Sequence, residues 1–302
     1  MKISEIYFFG YGDLDLERFR AIITSKSRDE IEQTPHALAS FEEQISNAVE
    51  TQLGKKATDV APVFYQNSWI LYVGLPGTSS RVVAYNSIPK GNDTLPKRLV
   101  ENYLATMDAN FQAIETGCAE DKNKYNQLKE QSSQQSKNIP DQLMQVLKNS
   151  GEPLQRAVAA HCLGLIAHTA PELIALTDAS KDADSVVRNN AVRALGVIAS
   201  EGGARAKLIP AVQFVQLLSL GIWTDRNKGS FLISELIKIR DAKLIDQLRS
   251  ESIPALKEMA AWDRGHATPA LRILGVIANI PDARIDELIA ADDRKTIIDA
   301  LK

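Results

Sequence analysis

Cysteine is scarce in this 302-residue chain, which has only Cys118, in a polar stretch, and Cys162, inside an apolar helical pattern. No disulfide framework or cysteine-rich metal site is suggested, and Cys162 reads as a small core residue. Long apolar runs are missing too: none approaches the roughly 20 residues a helix needs to cross a bilayer. Neither sign of charge dominates, since the net charge is −3. There is no global basic field to draw nucleic acid or an anionic membrane. The start, Met1-Lys2-Ile3-Ser4-Glu5, carries no basic and then apolar leader. The chain is therefore expected in the cytoplasm, or exported to the periplasm with its leader already removed.

Catalytic signatures are equally thin. The sequence contains no HExxH, no paired CxxC and no GxSxG. Gly10-Tyr11-Gly12 lacks the third glycine of a dinucleotide loop, and the stretch 74–80, from Gly74 to Ser80, lacks the lysine of a phosphate loop, so both read as turns. Of the four histidines, His36, His161, His168 and His266, the pair His161 and His168 is spaced seven apart, nearly aligned on one helix face. Two ligands do not make a metal site, and no third is supplied. No metal, cofactor or catalytic residue is expected.

What is present is a globular composition, 44% hydrophobic and 24% charged, in a chain long enough for two domains. Residues 3–9 are short, aromatic and β-branched and stop at a glycine turn, which predicts a strand. Helical spacing follows in Leu14, Leu16, Phe19, Ile22 and Ile23, and again in Phe41, Ile45, Val49 and Leu53, with Gly54 as the stop. Residues 58–64 and 69–73 predict two strands joined by a hairpin over 65–68. The order strand, helix, helix, strand, strand, with the closing phrase Ile70-Leu71-Tyr72-Val73-Gly74-Leu75, resembles a POTRA domain over residues 2–76. That family's module occurs in tandem ahead of a membrane barrel or beside a membrane anchor; neither is expected from this sequence, so the family's membrane-assembly role is not carried over. Residues 81–85 are expected to add a strand before turn chemistry at 89–93. A bridging helix over 95–114 places Leu99, Tyr103, Met107, Phe111 and Ile114 on one face, and 117–138 reads as a mobile connection or a solvated helical continuation.

The most informative stretch opens at Asp184, a helix-capping residue, and carries Val187, Ala191, Val192, Leu195 and Ile198 at steps of three and four. Its phrase recurs. Arg188 through Ala199 is matched by Arg156 through Ala167, by a third copy around Arg226-Asn227 and by a fourth ending Leu274-Gly275-Val276-Ile277-Ala278. In the third copy Ser234 stands for the glycine, and in the fourth Ala267 stands for the arginine. Each copy follows another apolar helical segment, at 143–147, 173–176, 209–220 and 244–259, and paired helices at such a period are the mark of an α-solenoid. Residues 139–280 resemble the HEAT repeat family, whose second helix reads D..VR..A..ALG.IA; Asp184, Val187, Arg188, Ala191, Ala194, Leu195, Gly196, Ile198 and Ala199 carry the match. Residues 285–301 are expected to cap the last copy. The fold class implied is an α+β, POTRA-like domain of β-α-α-β-β order at 1–90, a bridging helix and polar linker at 91–138, and an all-α HEAT-repeat solenoid of about four helix pairs with its cap at 139–302. The combination looks like a group of bacterial HEAT-repeat proteins, often exported, to which no activity is tied.

The expected function is a non-catalytic scaffold or adaptor that binds another protein or peptide. Its candidate anchors are Trp223, Asp225, Arg226, Trp262 and Arg188, because large aromatic and Arg side chains dominate binding surfaces. Burying one aromatic anchor contributes on the order of 1.5–3 kcal/mol, so a few sustain a micromolar contact. A structural role competes: Asp225 would cap a helix, Trp223 would pack in a turn, and Arg188 and Arg226 would join one repeat to the next. The alternative class is an enzyme. HEAT-like alkylpurine DNA glycosylases use Trp and Asp side chains, which draws attention to Trp223, Asp225 and Trp262, and lyases are a further possibility. The glycosylases need a basic groove that an acidic chain does not offer.

Overall fold

The structure, a computed structural model, describes residues 1–27 and 29–301, with Arg264 described through its backbone alone. A small mixed sheet with two helices opens the chain: β1 (Ile3–Phe9), α1 (Leu16–Lys26), α2 (Pro35–Leu53), β2 (Asp59–Tyr65) and β3 (Ser68–Gly74). Helices follow. They are α3 (Lys97–Thr116), α4 (Ala119–Ser136), α5 (Pro140–Asn149), α6 (Pro153–Ile166), α7 (Ala170–Ala179), α8 (Ser185–Glu201) and the short α9 (Gly203–Lys207). After a 3-10 segment, Ala211–Ser219, come α10 (Trp223–Leu236), α11 (Ala242–Glu251), α12 (Ile253–Ala260), α13 (Arg264–Ile277), α14 (Asp282–Ala290) and α15 (Arg294–Asp299). The chain divides into two compact units, Met1–Val83 with Ala211–Lys302, and Ala84–Pro210. The first two copies of the sequence repeat therefore lie in the second unit, and the last two lie in the first.

In the first unit the sheet order is β1-β3-β2, with β1 parallel and β2 antiparallel to β3. The hairpin turns through Gln66 and Asn67 at φ 47° and 63°, the left-handed pair that matches strand twist. Asp15 and Thr34 cap α1 and α2, and Gly54 ends α2 at φ 67°. One sheet face buries Phe8, Leu71 and Val73 against Phe19, Ile23, Phe41, Ile45 and Val49, the stripes read from sequence. The other face is covered as well. Tyr72 lies against Trp223 and Trp262 at ring separations of 4.9 and 5.2 Å, and Phe9 lies against Trp262 at 6.1 Å. A strand covered on both faces needs an unbroken apolar run, which is why β3 does not alternate.

In the second unit α3 buries Leu99, Tyr103, Thr106, Ala109 and Ala113 on the side that packs on α4 and α6, with Tyr103 against His161. The face expected from sequence is thus rotated: Met107, Phe111 and Ile114 point elsewhere. Within residues 117–138 the chain forms a helix, α4 (Ala119–Ser136), that buries Ser132 and Ser136. Its small side chains let α3 and α6 approach, so low hydrophobicity there reflects close packing as well as solvation. Residues 81–85 do not form a strand. Arg81 makes a single bridge to Leu220, because its N–H donates to a carbonyl of a helical turn, Ser219, at 2.7 Å.

The repeated arginine has one job in three copies. Arg156, Arg188 and Arg226 each donate to the carbonyl six residues back, on Ser150, Asp182 and Leu220, at 2.9, 2.8 and 2.6 Å. This ties the start of each second helix to the turn before it. Arg156 also grips the Asp182 carboxylate through Nε and Nη2, both at 2.8 Å. In the fourth copy, where Ala267 replaces the arginine, Arg294 of α15 supplies the guanidinium and donates to Ala260 and Trp262 carbonyls at 2.9 and 2.5 Å.

Replacing Arg156 by Ala strands a buried carboxylate and two turn carbonyls, so urea denaturation should show a loss of about 3–5 kcal/mol. Arg156→Lys should recover little of it, since an ammonium cannot serve both carboxylate oxygens in a plane.

Candidate functional site

All five residues expected as partner anchors lie inside the fold: Trp223, Asp225, Arg226, Trp262 and Arg188 are each 7% exposed or less. Arg188 belongs to the second unit and the other four belong to the first, where three of them hold the sheet.

Arg226 is the centre of that arrangement. It donates from Nη1 to Glu258 at 2.9 Å and from Nη2 to the Ser79 carbonyl at 2.7 Å, and it lies over the Phe9 ring. Glu258 then accepts from the backbone N–H groups of Gly10 and Gly12, at 2.7 and 2.8 Å, and from the Ser79 hydroxyl. Gly10 and Gly12 sit at φ 75° and 55°, a left-handed geometry that aims successive amides at one anion. The glycine-rich turn therefore grips the protein's own carboxylate. Burial lowers the Arg226 pKa, and Glu258 opposes that shift.

Asp225 does not cap α10. Its place is in the first turn, while the Trp223 N–H donates to Asp59 of β2 at 2.8 Å. A carboxylate 164 residues away in the chain thus fills the capping role. Burial pushes the Asp59 carboxyl up to about 6, against the Trp223 and Val60 N–H groups that favour its charged form.

Beside it lies a polar trio that the sequence reading did not single out. The Tyr72 hydroxyl donates to Asp263 and sits 2.8 Å from His266 Nδ1, which is 2.6 Å from the same Asp263 oxygen. Tyr65, Trp223 and Tyr72 surround the imidazole at 4.5, 5.3 and 5.6 Å between ring centres. Burial works to raise the Asp263 carboxyl, but the hydrogen bonds from His266 and Tyr72 outweigh it and hold it below its ordinary range. Burial, with Asp263 adding to it, drives the Tyr72 phenol far above its ordinary value. An open polar cleft of about 420 Å³, lined by Tyr7, Tyr65, Trp262, Asp263 and Arg294 among others, adjoins this trio. Tyr72 is held as a donor to Asp263, and the trio fixes the aromatic rings around it.

The second unit presents a different surface. Residues 84–95 cross it in an extended path, with Asn86 N–H donating to the Lys181 carbonyl at 2.7 Å and Gly91 N–H to the Asn149 carbonyl at 2.9 Å. Lys181 and Asn149 each precede the residue whose carbonyl the repeat arginine takes, so the segment reads equivalent turns in successive copies. In the first unit Arg81 meets Ser219 at the same position of the third copy. Tyr85 stacks on the Arg188 guanidinium, 3.9 Å from Cζ to the ring centre. Between this segment and helices α5 and α7 runs a groove of about 340 Å³, lined by Pro89, Met144, Leu147, Pro171, Ile174 and Ala175, with Lys148 and Asp178 at its rim. Ile174 is 60% exposed.

No family model matches the chain, and no curated protein matches it significantly. Function is therefore argued from geometry alone. The two histidines considered as ligands do not share a helix face, because α6 stops at Ile166, ahead of His168. His161 packs on Tyr103, and burial pulls its pKa down to about 4. Among the described residues no helix is long and apolar enough to cross a membrane.

The Asp59 carboxyl supplies a test of the capping geometry. Its folded value, about 6, lies above the unfolded value near 3.8, so the folded chain holds a proton that the unfolded chain releases. Stability from this group is complete below the unfolded value and is lost as pH rises through about 6. Asp59→Asn keeps an acceptor for Trp223 and removes the charge. It should raise stability by on the order of 2–3 kcal/mol at about pH 7, and by much less near pH 4. Thermal melts at the two values check this; an equal effect at both would contradict it.

Proposed function

We propose that this chain is a non-catalytic binding scaffold whose helical copies form a HEAT-like α-solenoid behind a POTRA-like head, and that it takes an extended segment of another protein. The observation that carries the reading is the docked segment 84–91. Its backbone N–H groups at Asn86 and Gly91 meet equivalent turn carbonyls in consecutive copies. A surface that already orders an extended chain by a repeated backbone register is suited to ordering a second one. The groove beside it supplies side-chain recognition: an aliphatic residue of the partner would cover Ile174 and lean on Met144 and Pro171.

The buried arginines support the solenoid reading through their shared hydrogen bond to the preceding turn. The glycosylase alternative gains nothing from placement, since Trp223, Asp225 and Trp262 are internal.

Panning a displayed library of random peptides against the full chain should enrich extended sequences bearing an aliphatic residue. Ile174→Glu, at an exposed position where folding is spared, should weaken the enriched peptides at least about tenfold, or about 1.4 kcal/mol. Failure to enrich any peptide, or enrichment indifferent to Ile174→Glu, would contradict the proposal.

A further inference from the structure

Helix α3 carries a second apolar face, half-buried at Val100 and Met107 and open at Leu104, Phe111 and Ile114. Opposite part of its packed side, Val100, Leu104, Met107, Phe111 and Ile114 follow at steps of four and three, so Leu104 and Phe111 fall at heptad position a and the other three at position d. Leu104, Phe111 and Ile114 are 46%, 41% and 47% exposed. Isolated exposed apolar residues are ordinary, whereas an unbroken a/d seam over most of a helix is a surface shaped for another helix.

The flanks say which kind. At position e stand Glu101, Asp108 and Glu115, one per heptad and all exposed. At position g stand Tyr103, Asn110 and Gly117, none charged. The Lys97 ammonium reaches Glu101 at 3.3 Å, but the two side chains are 90% and 60% exposed, so a competing cation displaces it at little cost. A second copy is disfavoured on this seam. Antiparallel pairing sets e against e and brings the acidic rows together, while parallel pairing sets the acids against the uncharged g row and gains nothing. An anionic membrane meets the same acidic row.

We propose that α3 docks an amphipathic helix of a partner protein that has an aliphatic a/d stripe and basic residues along its edge. This goes beyond the groove reading, since it names a different surface and a different partner chemistry, and each stands without the other.

The test uses the full chain and two synthetic helical peptides with leucine at a and d, one with lysine and the other with glutamate at e and g, followed by fluorescence anisotropy. The lysine peptide should bind, and the glutamate peptide should bind at least about tenfold more weakly. Leu104→Glu should weaken the lysine peptide by at least about tenfold, Glu101→Lys with Asp108→Lys and Glu115→Lys should reverse the preference, and Ile174→Glu should change neither. Four results would overturn the proposal. They are equal affinity for both peptides, no binding of either up to about 1 mM, binding lost in Ile174→Glu but kept in the α3 variants, or a dimer in light scattering that Leu104→Glu dissolves.

Discussion

The buried arginine at the start of the second helix in three of the four copies is the constraint on which the fold rests. A guanidinium out of water must spend its donors on fixed acceptors, and here they go to the turn just before its own helix. That bond ties the start of the second helix to the turn before it, and it recurs at the same place in three of the four copies. The turn then exposes the preceding carbonyl in a constant place. The segment 84–91 uses those carbonyls, so an internal hydrogen-bonding device has become an external register.

The first unit elaborates the same device. Arg226 does what Arg156 and Arg188 do, and then continues through Glu258 to Gly10 and Gly12. A charge pair of this kind is poor at adding stability relative to an apolar filling, but it specifies which loop sits where. Aromatic packing of Tyr72, Trp223 and Trp262 then seals the second face of the sheet. Residues that stand out in sequence because they are large and polar therefore earn their place by joining elements distant in the chain.

Much of this was legible in sequence, and the limits have physical causes. Stripes such as Phe19, Ile23, Phe41, Ile45 and Val49 reveal themselves because burial on one face imposes a local period. The repeat reveals itself because each copy solves the same packing problem, as at Gly164, where an added Cβ would collide with Ala194. Partners without a period were hidden: nothing near Trp223 points to Asp59, and nothing near Glu258 points to Gly10. Helix α3 misled for another reason. It is apolar on two faces, so periodicity alone joined Leu99 and Tyr103 of the packed face to Met107, Phe111 and Ile114 of the free one. The expected anchors are buried, and sequence does not separate that from an exposed place because Trp and Arg are enriched in cores and interfaces alike.

The central claim is that each arginine organises its own turn, and through it one contact of the extended segment. Amide hydrogen exchange on Arg188→Met tests it most directly, since Arg188 serves the Lys181 turn that holds Asn86, while Gly91 rests on the turn served by Arg156. The account predicts that the Asn86 amide loses protection while Gly91 keeps it, under conditions where the helices stay closed. Equal loss at both amides, or unchanged protection at Asn86, would contradict it.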